Sequence, residues 1–356
     1  MSLIPLYGKT RTELAELVIA EGLPKFSATQ IADWLYRKDV DSIDQMSNLS
    51  KKVREQLSEK YTLGLIAPDQ VSESTDGTKK YLFPTGNNKF VEAAYIPESD
   101  RATLCVSSQA GCKMGCLFCM TGKQGFQGQL TSGEILNQLR SIPEFRNVTN
   151  IVYMGMGEPF DNLDSVLKST EILTSDWGMG WSPKRITVSS VGLIPALRKF
   201  MEQSNCHLAI SLHTPFEEER KMLMPIQNVY PIADVVAEIR KVFKGGQRRV
   251  SFEYIMFDGI NDTPKHVKEM AKLLSGLECR VNLIRFHTIP DSPLRGTSDA
   301  KMLEFRDALT SKGIFTTIRS SRGQDIQAAC GLLSTKALIE KNNLLFFSHK
   351  FFTNIV

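Results

Sequence analysis

From Thr103 onward the chain repeats one rhythm: a short apolar strand, a loop, then a segment with helical periodicity. Candidate strands run over 103–108, 150–154, 185–190, 207–212, 249–257 and 280–286, with a further one at 315–319. Helical spacing of apolar residues fills the gaps, for example over 132–139, 164–173 and 264–274. Strands that alternate with helices are joined by crossovers, so they lie parallel in one sheet. Six such units predict an α/β fold, a parallel sheet curled into a partial (βα)6 barrel. Chemistry in barrels of this kind gathers in the loops at the C-terminal ends of the strands. Those loops are where function is to be sought.

The loop after the first of these strands carries Cys112, Cys116 and Cys119 at spacing C-x3-C-x2-C, with Phe118 just before the last thiol. Soft thiolates this close together suit a soft metal centre. A structural zinc takes four closed ligands, and iron–sulfur clusters are usually held by four cysteines. Three thiolates would leave one iron of a cubane open to a non-protein ligand. On the residues alone, a zinc knuckle borrowing a distant ligand and three buried thiols are the alternatives.

The second strand leads into Gly155-Met156-Gly157-Glu158-Pro159. Its glycines permit close backbone approach to a ligand, and its carboxylate can accept from an ammonium group. The third strand ends at Ser189-Ser190-Val191-Gly192 and the fourth at Ser211-Leu212-His213. Singly each is ordinary loop chemistry; together they line one rim of one barrel. Far along the chain lies Arg322-Gly323-Gln324-Asp325-Ile326-Gln327-Ala328-Ala329-Cys330-Gly331.

Ahead of the barrel, residues 1–70 have the pattern of a helical module. Thr10-x-x-Glu13 is a capping box leading into Leu14, Leu17 and Val18. Ile31, Trp34 and Leu35 mark a second helix with Arg37 and Lys38 at its end, and a third follows Ser50. Helical bundles with basic ends contact nucleic acid, but solvated helix faces have the same pattern. Residues 71–102 form a β-hairpin linker, with strands over 80–83 and 89–96 flanking a turn at 85–88. Alternation puts Phe90, Glu92, Ala94 and Ile96 on one face. A carboxylate among apolar neighbours is costly to bury unless paired or used. On pattern alone, an edge position facing water accommodates Glu92.

The chain has 356 residues, which suits a small accessory domain and one large core domain. Net charge is only +4, so local clusters such as Arg240, Lys241, Lys244, Arg248 and Arg249 must carry any argument for polyanion contact. Seven cysteines, an odd number, without a secretory leader point to a reducing cytoplasm. No apolar run approaches the ~18 residues of a membrane span, so no membrane is expected as a partner.

Taken together, the cysteine loop, Gly-Met-Gly-Glu-Pro and Asp-Ile-x-Ala-Ala-Cys-Gly resemble the motifs of the bacterial dual-specificity RNA adenine-C2 methyltransferases of the radical S-adenosylmethionine (SAM) superfamily. The likeness runs from the helical module through Gly331. It implies an N-terminal helical, RNA-engaging accessory domain (1–70), the hairpin (71–102), a radical SAM partial barrel with a methyl-carrying cysteine loop (103–340) and an apolar C-terminal tail (341–356). It implies that Cys112, Cys116 and Cys119 hold a [4Fe–4S] cluster, and that two SAM molecules are used per turnover. Cys330 then matches the methyl-carrying cysteine, Cys105 the cysteine that pairs with it transiently as a disulfide, and Glu92 the proton acceptor. Implied SAM contacts are Gly157, Glu158, Ser189, Ser211, Leu212 and His213. At a further contact the family usually has Asn, whereas this chain has His287. Implied substrates are 23S rRNA at the peptidyl-transferase centre and the tRNA adenine 3′ of the anticodon. An electron donor for the cluster and a disulfide reductant are implied partners. Cys206 and Cys279 match no motif and are expected in the core. Besides a radical SAM enzyme acting on another substrate, in which Cys330 would have no stated job, two rival readings remain. One is the relative that methylates adenine C8, against which Pro159 and Arg322-Gly323 argue, since that relative usually has Ala after Gly-Met-Gly-Glu. The other is a non-catalytic, zinc-bearing RNA-binding protein.

Overall fold

A computed structural model describes residues 3–326 except 87–88, 247 and 291; Cys330 and the 341–356 tail lie outside the described residues. The N-terminal module holds β1 (Ile4–Pro5), α1 (Arg11–Ala20), α2 (Ser27–Tyr36), α3 (Lys51–Lys60) and β2 (Tyr61–Thr62). The expected capping box opens α1: Thr10 Oγ1 accepts from Glu13 N at 3.2 Å, and Glu13 Oε2 accepts from Thr10 N at 2.8 Å. Ser50 caps α3 with a single bond, its Oγ accepting from Val53 N at 3.3 Å. β1 and β2 pair in parallel, closing the module on itself.

Next come β3 (Gln70–Glu73), β4 (Lys79–Thr85), β5 (Lys89–Pro97) and β6 (Ala102–Cys105), then the short β7 (Gln109–Gly111), α4 (Met120–Lys123) and β8 (Phe126–Gln129). The βα units continue as α5 (Ser132–Arg140), β9 (Asn150–Tyr153), α6 (Leu163–Thr174), β10 (Ile186–Ser190), α7 (Ile194–Gln203), β11 (His207–Ser211), α8 (Glu217–Leu223) and α9 (Ile232–Val242). They end with β12 (Val250–Met256), α10 (Pro264–Leu274), β13 (Arg280–Arg285), α11 (Asp299–Ser311) and β14 (Phe315–Ile318).

One ten-stranded sheet runs in the order β14-β13-β12-β11-β10-β9-β6-β5-β4-β3. From β6 to β14 every pairing is parallel, as the strand–helix rhythm predicts. The hairpin expected as a linker is instead hydrogen-bonded into this sheet, β5 lying antiparallel to β6 and β4 antiparallel to β5. The first barrel strand is shorter than its apolar run: it stops at Cys105, and 106–108 turn away towards β7, which pairs with β8.

The sheet has two unlike faces. Leu104, Ile151, Val188, Leu208, Ile210, Val250, Phe252, Tyr254, Val281 and Leu283 are buried in the main core. The intervening positions are polar in several strands: Thr187 and Ser189 on β10, Ser211 on β11, Ser251 and Glu253 on β12, Asn282 on β13. Register puts these side by side, Ser211 opposite Glu253 and Glu253 opposite Asn282. A parallel sheet covered by apolar layers on both faces would read as unbroken hydrophobic runs. Here the alternation marks a polar lumen.

The N-terminal module is docked rather than tethered. Its buried residues join the same core as the barrel's. Ser132 Oγ donates to Gly8 O at 2.7 Å, Asn137 exchanges two hydrogen bonds with the Ile66 backbone, and Arg146 pairs with Asp39 at 3.1 Å.

Candidate active site

The cysteine loop leaves the sheet at the C-terminal end of β6, through β7. Gly111 has φ +68, and a Cβ there would stand 1.8 Å from Gly125 O. Only glycine lets the two backbones close, and Cys112 N then donates to Gly125 O at 3.2 Å. Cys119 N bonds back to Cys116 O at 3.1 Å, and Leu117 N bonds to Leu223 O of α8 at 2.9 Å. Cys112 and Cys116 are buried, and Cys119 is half-buried. Phe118 sits edge-on to the His213 ring at 4.7 Å and beside Phe257 at 5.8 Å, which in turn meets Phe286. Apolar side chains therefore wall the thiols from solvent.

Burial pushes the Cys112 thiol up to about 12 and raises the Cys116 thiol well above its ordinary value, and the neighbouring thiols add to both shifts. Three thiolates cannot coexist there without a cation among them. Three soft thiolates on one loop are a donor set that suits an iron–sulfur cluster with one corner left open. The donor set fits the cluster.

The Gly-Met-Gly-Glu-Pro loop is clamped against this segment. Ser108 N and Gln109 N both donate to Met156 O, and Gly155 N donates to Val106 O. Gly157 has φ +96, and a Cβ on it would lie 2.5 Å from Gln109 Cβ. Glu158 N donates to Gln109 Oε1 at 2.8 Å. The Glu158 carboxylate accepts from Phe160 N and Val191 N, each at 3.0 Å. Burial nonetheless raises its pKa to about 7. Each carboxylate oxygen keeps acceptor capacity for a further donor.

Register assembles the other expected residues. Cys105 pairs with Ala94 of β5 and Val152 of β9, so Cys105, Ala94 and, two positions along, Glu92 share one face of the sheet. β5 runs against β6, which carries Glu92 past the end of β6; there its carbonyl accepts from Ser107 Oγ at 2.6 Å. The same hydroxyl accepts from Met156 N at 2.8 Å, joining β5 to the glycine-rich loop. Glu92 does not sit at a water-facing edge. It is 3% exposed, paired to β4 on one side and bonded to Ser107 on the other, and its Oε2 lies 2.7 Å from Lys80 Nζ, itself buried. Ser189 and Ser211 occupy the lumen face.

His213 follows β11 in a left-handed conformation, φ +57, and is buried. Its Nδ1 accepts from Ile255 N at 3.0 Å, and burial with the nearby Arg220 holds its pKa down at about 3. It is neutral. Leu212 turns its side chain into the core, and its N–H and C=O are bonded to Glu253 O and to Arg220 and Thr214. His287 stands exposed in the loop after β13. Cys206 is buried in the core, while Cys279 packs partly buried against it. Arg240, Lys241, Lys244, Arg248 and Arg249 lie at the other end of the sheet, before β12; a cavity of about 800 Å³ opens beside Lys184, Lys241, Lys244 and Arg248. The structure does not bring that basic cluster to the cysteine loop.

Several site residues carry no sequence motif. Glu253 is buried in the lumen, with Oε1 accepting from Asn282 Nδ2 at 2.8 Å and Oε2 3.2 Å from Arg319. Lys80 and Arg220 are likewise fully buried. Alternation of Ser251 and Glu253 with apolar neighbours is the signal that finds the first. Lys80 alternates with Leu82 on the strand facing Glu92, a signal visible only once the hairpin register is known. The turn leading towards Cys330 is anchored too. Asp325 accepts from Ser74 Oγ at 2.5 Å and Thr75 N at 3.0 Å, and Gly323 N donates to Asp76 at 2.9 Å.

A parallel partial barrel with a three-cysteine loop after its first strand and a glycine-rich loop after its second defines a radical SAM enzyme, and the Radical SAM superfamily model matches residues 106–274. The ribosomal RNA large subunit methyltransferase N-terminal domain model matches residues 4–63. The chain is 57% identical over 338 residues to the probable dual-specificity RNA methyltransferase RlmN of Bacteroides fragilis, covering 95% of this chain and 98% of that one. It is 40% identical over 345 residues to the dual-specificity RNA methyltransferase RlmN of Syntrophus aciditrophicus, covering 96% and 99%. Among solved structures, a radical SAM methyltransferase from Sphaerobacter thermophilus matches with TM-score 0.86 at 39% identity, covering 92% of this chain and 98% of that one. The chain belongs to the RlmN family of radical SAM RNA methyltransferases.

Proposed function

We propose that this enzyme methylates C2 of adenine in 23S rRNA, at the peptidyl-transferase centre, and in tRNA, at the adenine 3′ of the anticodon. It would do so through an S-methylcysteine and a covalent RNA–protein adduct. The observation that carries the reading is convergence: Glu92, Cys105, Ser189 and Ser211 share one sheet face, at whose end the three-cysteine loop departs. Cys112, Cys116 and Cys119 would hold the [4Fe–4S] cluster, and Gly157, Glu158, Ser189, Ser211, Leu212 and His213 would line the SAM site, Leu212 by packing rather than by a hydrogen bond, since its backbone is already engaged. His287 would reach SAM only from its exposed loop. When bound, cluster and SAM supply a 5′-deoxyadenosyl radical, the reagent that an unactivated methyl group requires.

The chain's own residues do the rest. Cys330, five positions beyond the anchored Asp325, would take a methyl group from one SAM by displacement of its sulfonium. Loss of one hydrogen atom from that methyl group, to the radical made from a second SAM, lets its carbon bond to adenine C2, and the odd electron this leaves on the ring would pass to a one-electron carrier of the kind that supplies the cluster. Glu92 would accept the C2 proton from the adduct. The Cys105 thiolate would attack the Cys330 sulfur, forming a disulfide as the C–S bond breaks; the carbon that keeps the electron pair takes a proton, which completes the methyl group and frees the RNA. A thiol reductant must then restore both cysteines. The target base must leave its stack to reach the lumen, so RNA shape matters more than duplex sequence.

The test is anaerobic reconstitution with iron and sulfide, then methylation of 23S fragments and tRNA offered separately. Nuclease digestion and mass spectrometry against 2-methyl- and 8-methyladenosine standards follow. Methyl at C2 in both RNAs is expected, with E92Q accumulating RNA–protein adduct and C330A inactive. Methyl at C8, or full activity in C330A, would overturn the reading.

A further inference from the structure

Arg220 is a buried cation that pairs with no anion among the described residues. Its side chain is wholly removed from solvent. Its guanidinium donates to four neutral acceptors: Leu212 O at 3.2 Å, Gln227 Oε1 at 2.8 Å, Val191 O at 3.0 Å and Ser211 O at 2.9 Å. The carboxylates nearest in sequence are engaged elsewhere. Glu217 and Glu218 pair with Lys221, and Glu219 bonds His266 and Thr214. Glu158 lies across the Val191 peptide, accepting from its N–H while Arg220 takes its C=O. An ion buried with hydrogen bonds alone is expensive unless an opposite charge arrives.

The structure shows where that charge would arrive. Arg220 is on α8, whose Leu223 O accepts from Leu117 N in the cysteine loop. Cys116, Val191, Leu223 and Met224 pack together as one apolar group, and Arg220 bonds the Val191 carbonyl within it. Arg220 and the Cys116 sulfur feel each other's charge through this low-dielectric wall.

We propose that Arg220 is the fixed counter-charge of the three-cysteine site, a positioning residue that favours its reduced state. The inference rests on the reading of Cys112, Cys116 and Cys119 as cluster ligands. Reduction adds one electron, drawn from an external low-potential donor, and so one negative charge beside the guanidinium. A cation held in place stabilises that added charge without reorganisation. Three of those four hydrogen bonds, to Val191, Ser211 and Leu212, hold the ends of β10 and β11, so Arg220 couples the redox site to the strand ends that would carry SAM.

Three variants test the charge separately from the shape. R220M removes the cation; R220K keeps it. Q227E leaves Arg220 intact and sets a carboxylate 2.8 Å from its Nη1, while still accepting from Ile232 N. Each full-length protein is reconstituted anaerobically, its iron and sulfide are counted, and the cluster is titrated with dithionite under electron paramagnetic resonance. R220M and Q227E should each shift the reduction equilibrium about tenfold towards the oxidised form, 59 mV for one electron, and R220K by less than about threefold. If R220M fails to load iron, Q227E decides. A loaded Q227E whose midpoint matches the wild type overturns the inference and leaves Arg220 a structural strut. A wild type that binds no cluster at all sinks the underlying assignment instead.

Discussion

Lys80 and Glu92 form a buried ion pair whose strength can be worked from its geometry. Register sets Lys80 opposite Ala94 and Leu82 opposite Glu92, so the two charged side chains meet on the diagonal of one sheet face. At their separation of 2.7 Å, the attraction is about 6 kcal/mol for an effective dielectric of ~20. Desolvation offsets most of that in the intact pair, because each ion costs several kcal/mol to bury. Removing one partner leaves the cost of the other. K80M and E92Q should therefore each lose about 3–5 kcal/mol, while the double variant should lose far less than their sum. A double-mutant cycle on denaturant midpoints, with all four proteins in the same metal state, should return a coupling of about 3 kcal/mol. K80R should recover part of the K80M loss. Single losses that add to within about 0.5 kcal/mol in the double variant would refute the reasoning, because the pair would then not be acting as a unit.

Two further predictions concern groups the fold has buried. Glu158 carries a folded pKa raised to about 7 by burial, from an ordinary 4.5. Between those values the folded chain binds the extra proton, so this residue's contribution to stability is present at low pH and is lost as pH rises towards about 7. The wild type should lose on the order of 3 kcal/mol relative to E158Q between about pH 5 and about pH 8, measured as the difference in denaturation midpoints; parallel curves would contradict it. Asn261 is fully buried, donating to His213 O at 2.6 Å and Ile255 O at 2.7 Å and accepting from Phe257 N at 2.7 Å. N261A orphans those backbone groups and should cost about 2–4 kcal/mol. It should also weaken SAM binding by calorimetry, because it frees the His213 turn, whereas an unchanged affinity would separate that turn from SAM.

What the sequence made legible is what local chemistry determines. The capping boxes at Thr10 and Thr131 and the Pro at the start of α10 are written in adjacent residues, and the helices form where those signals place them. The cysteine spacing and the glycines of the second loop are local in the same sense. Pairing is not local. Nothing near Glu92 says that Ser107 and Lys80 rather than water lie beside it, so pattern alone placed it at an edge. The turn at 85–88 announces a hairpin but not the sheet that the hairpin joins. Arg220 was invisible for the same reason: in sequence it sits in the run Glu217-Glu218-Glu219-Arg220-Lys221, which reads as a solvated helix face. Its neighbours do face water, and only the helix phase against Leu212 and Val191 turns this one cation inward. The basic residues around Gly245-Gly246 show the converse, a cluster plain in sequence whose end of the barrel only topology could give.

The antiparallel extension solves a problem that the parallel strands alone could not. Every parallel strand delivers its last residue to the C-terminal rim and its following residues to a loop. A group held there by strand hydrogen bonds must come from a chain that is still in the sheet beyond the end of β6. A strand running the other way meets that need: β5 is already paired to β4 along 79–85 as it passes the end of β6, so Glu92 is fixed at the rim by the β4 ladder rather than by a loop. Lys80 comes from the same ladder, which holds charge and counter-charge in one rigid frame. The turn that precedes Cys330 closes on Ser74, Thr75 and Asp76, in the connection between β3 and β4 of that same extension. Shortening this connection should therefore disturb Glu92 little and the Asp325 anchor greatly. Deleting Thr75 and Asp76 should leave the Lys80–Glu92 coupling intact while lowering S-methylation at Cys330, read by peptide mass; loss of both together would mean that the extension moves as a single lever, not as a frame with a separate latch.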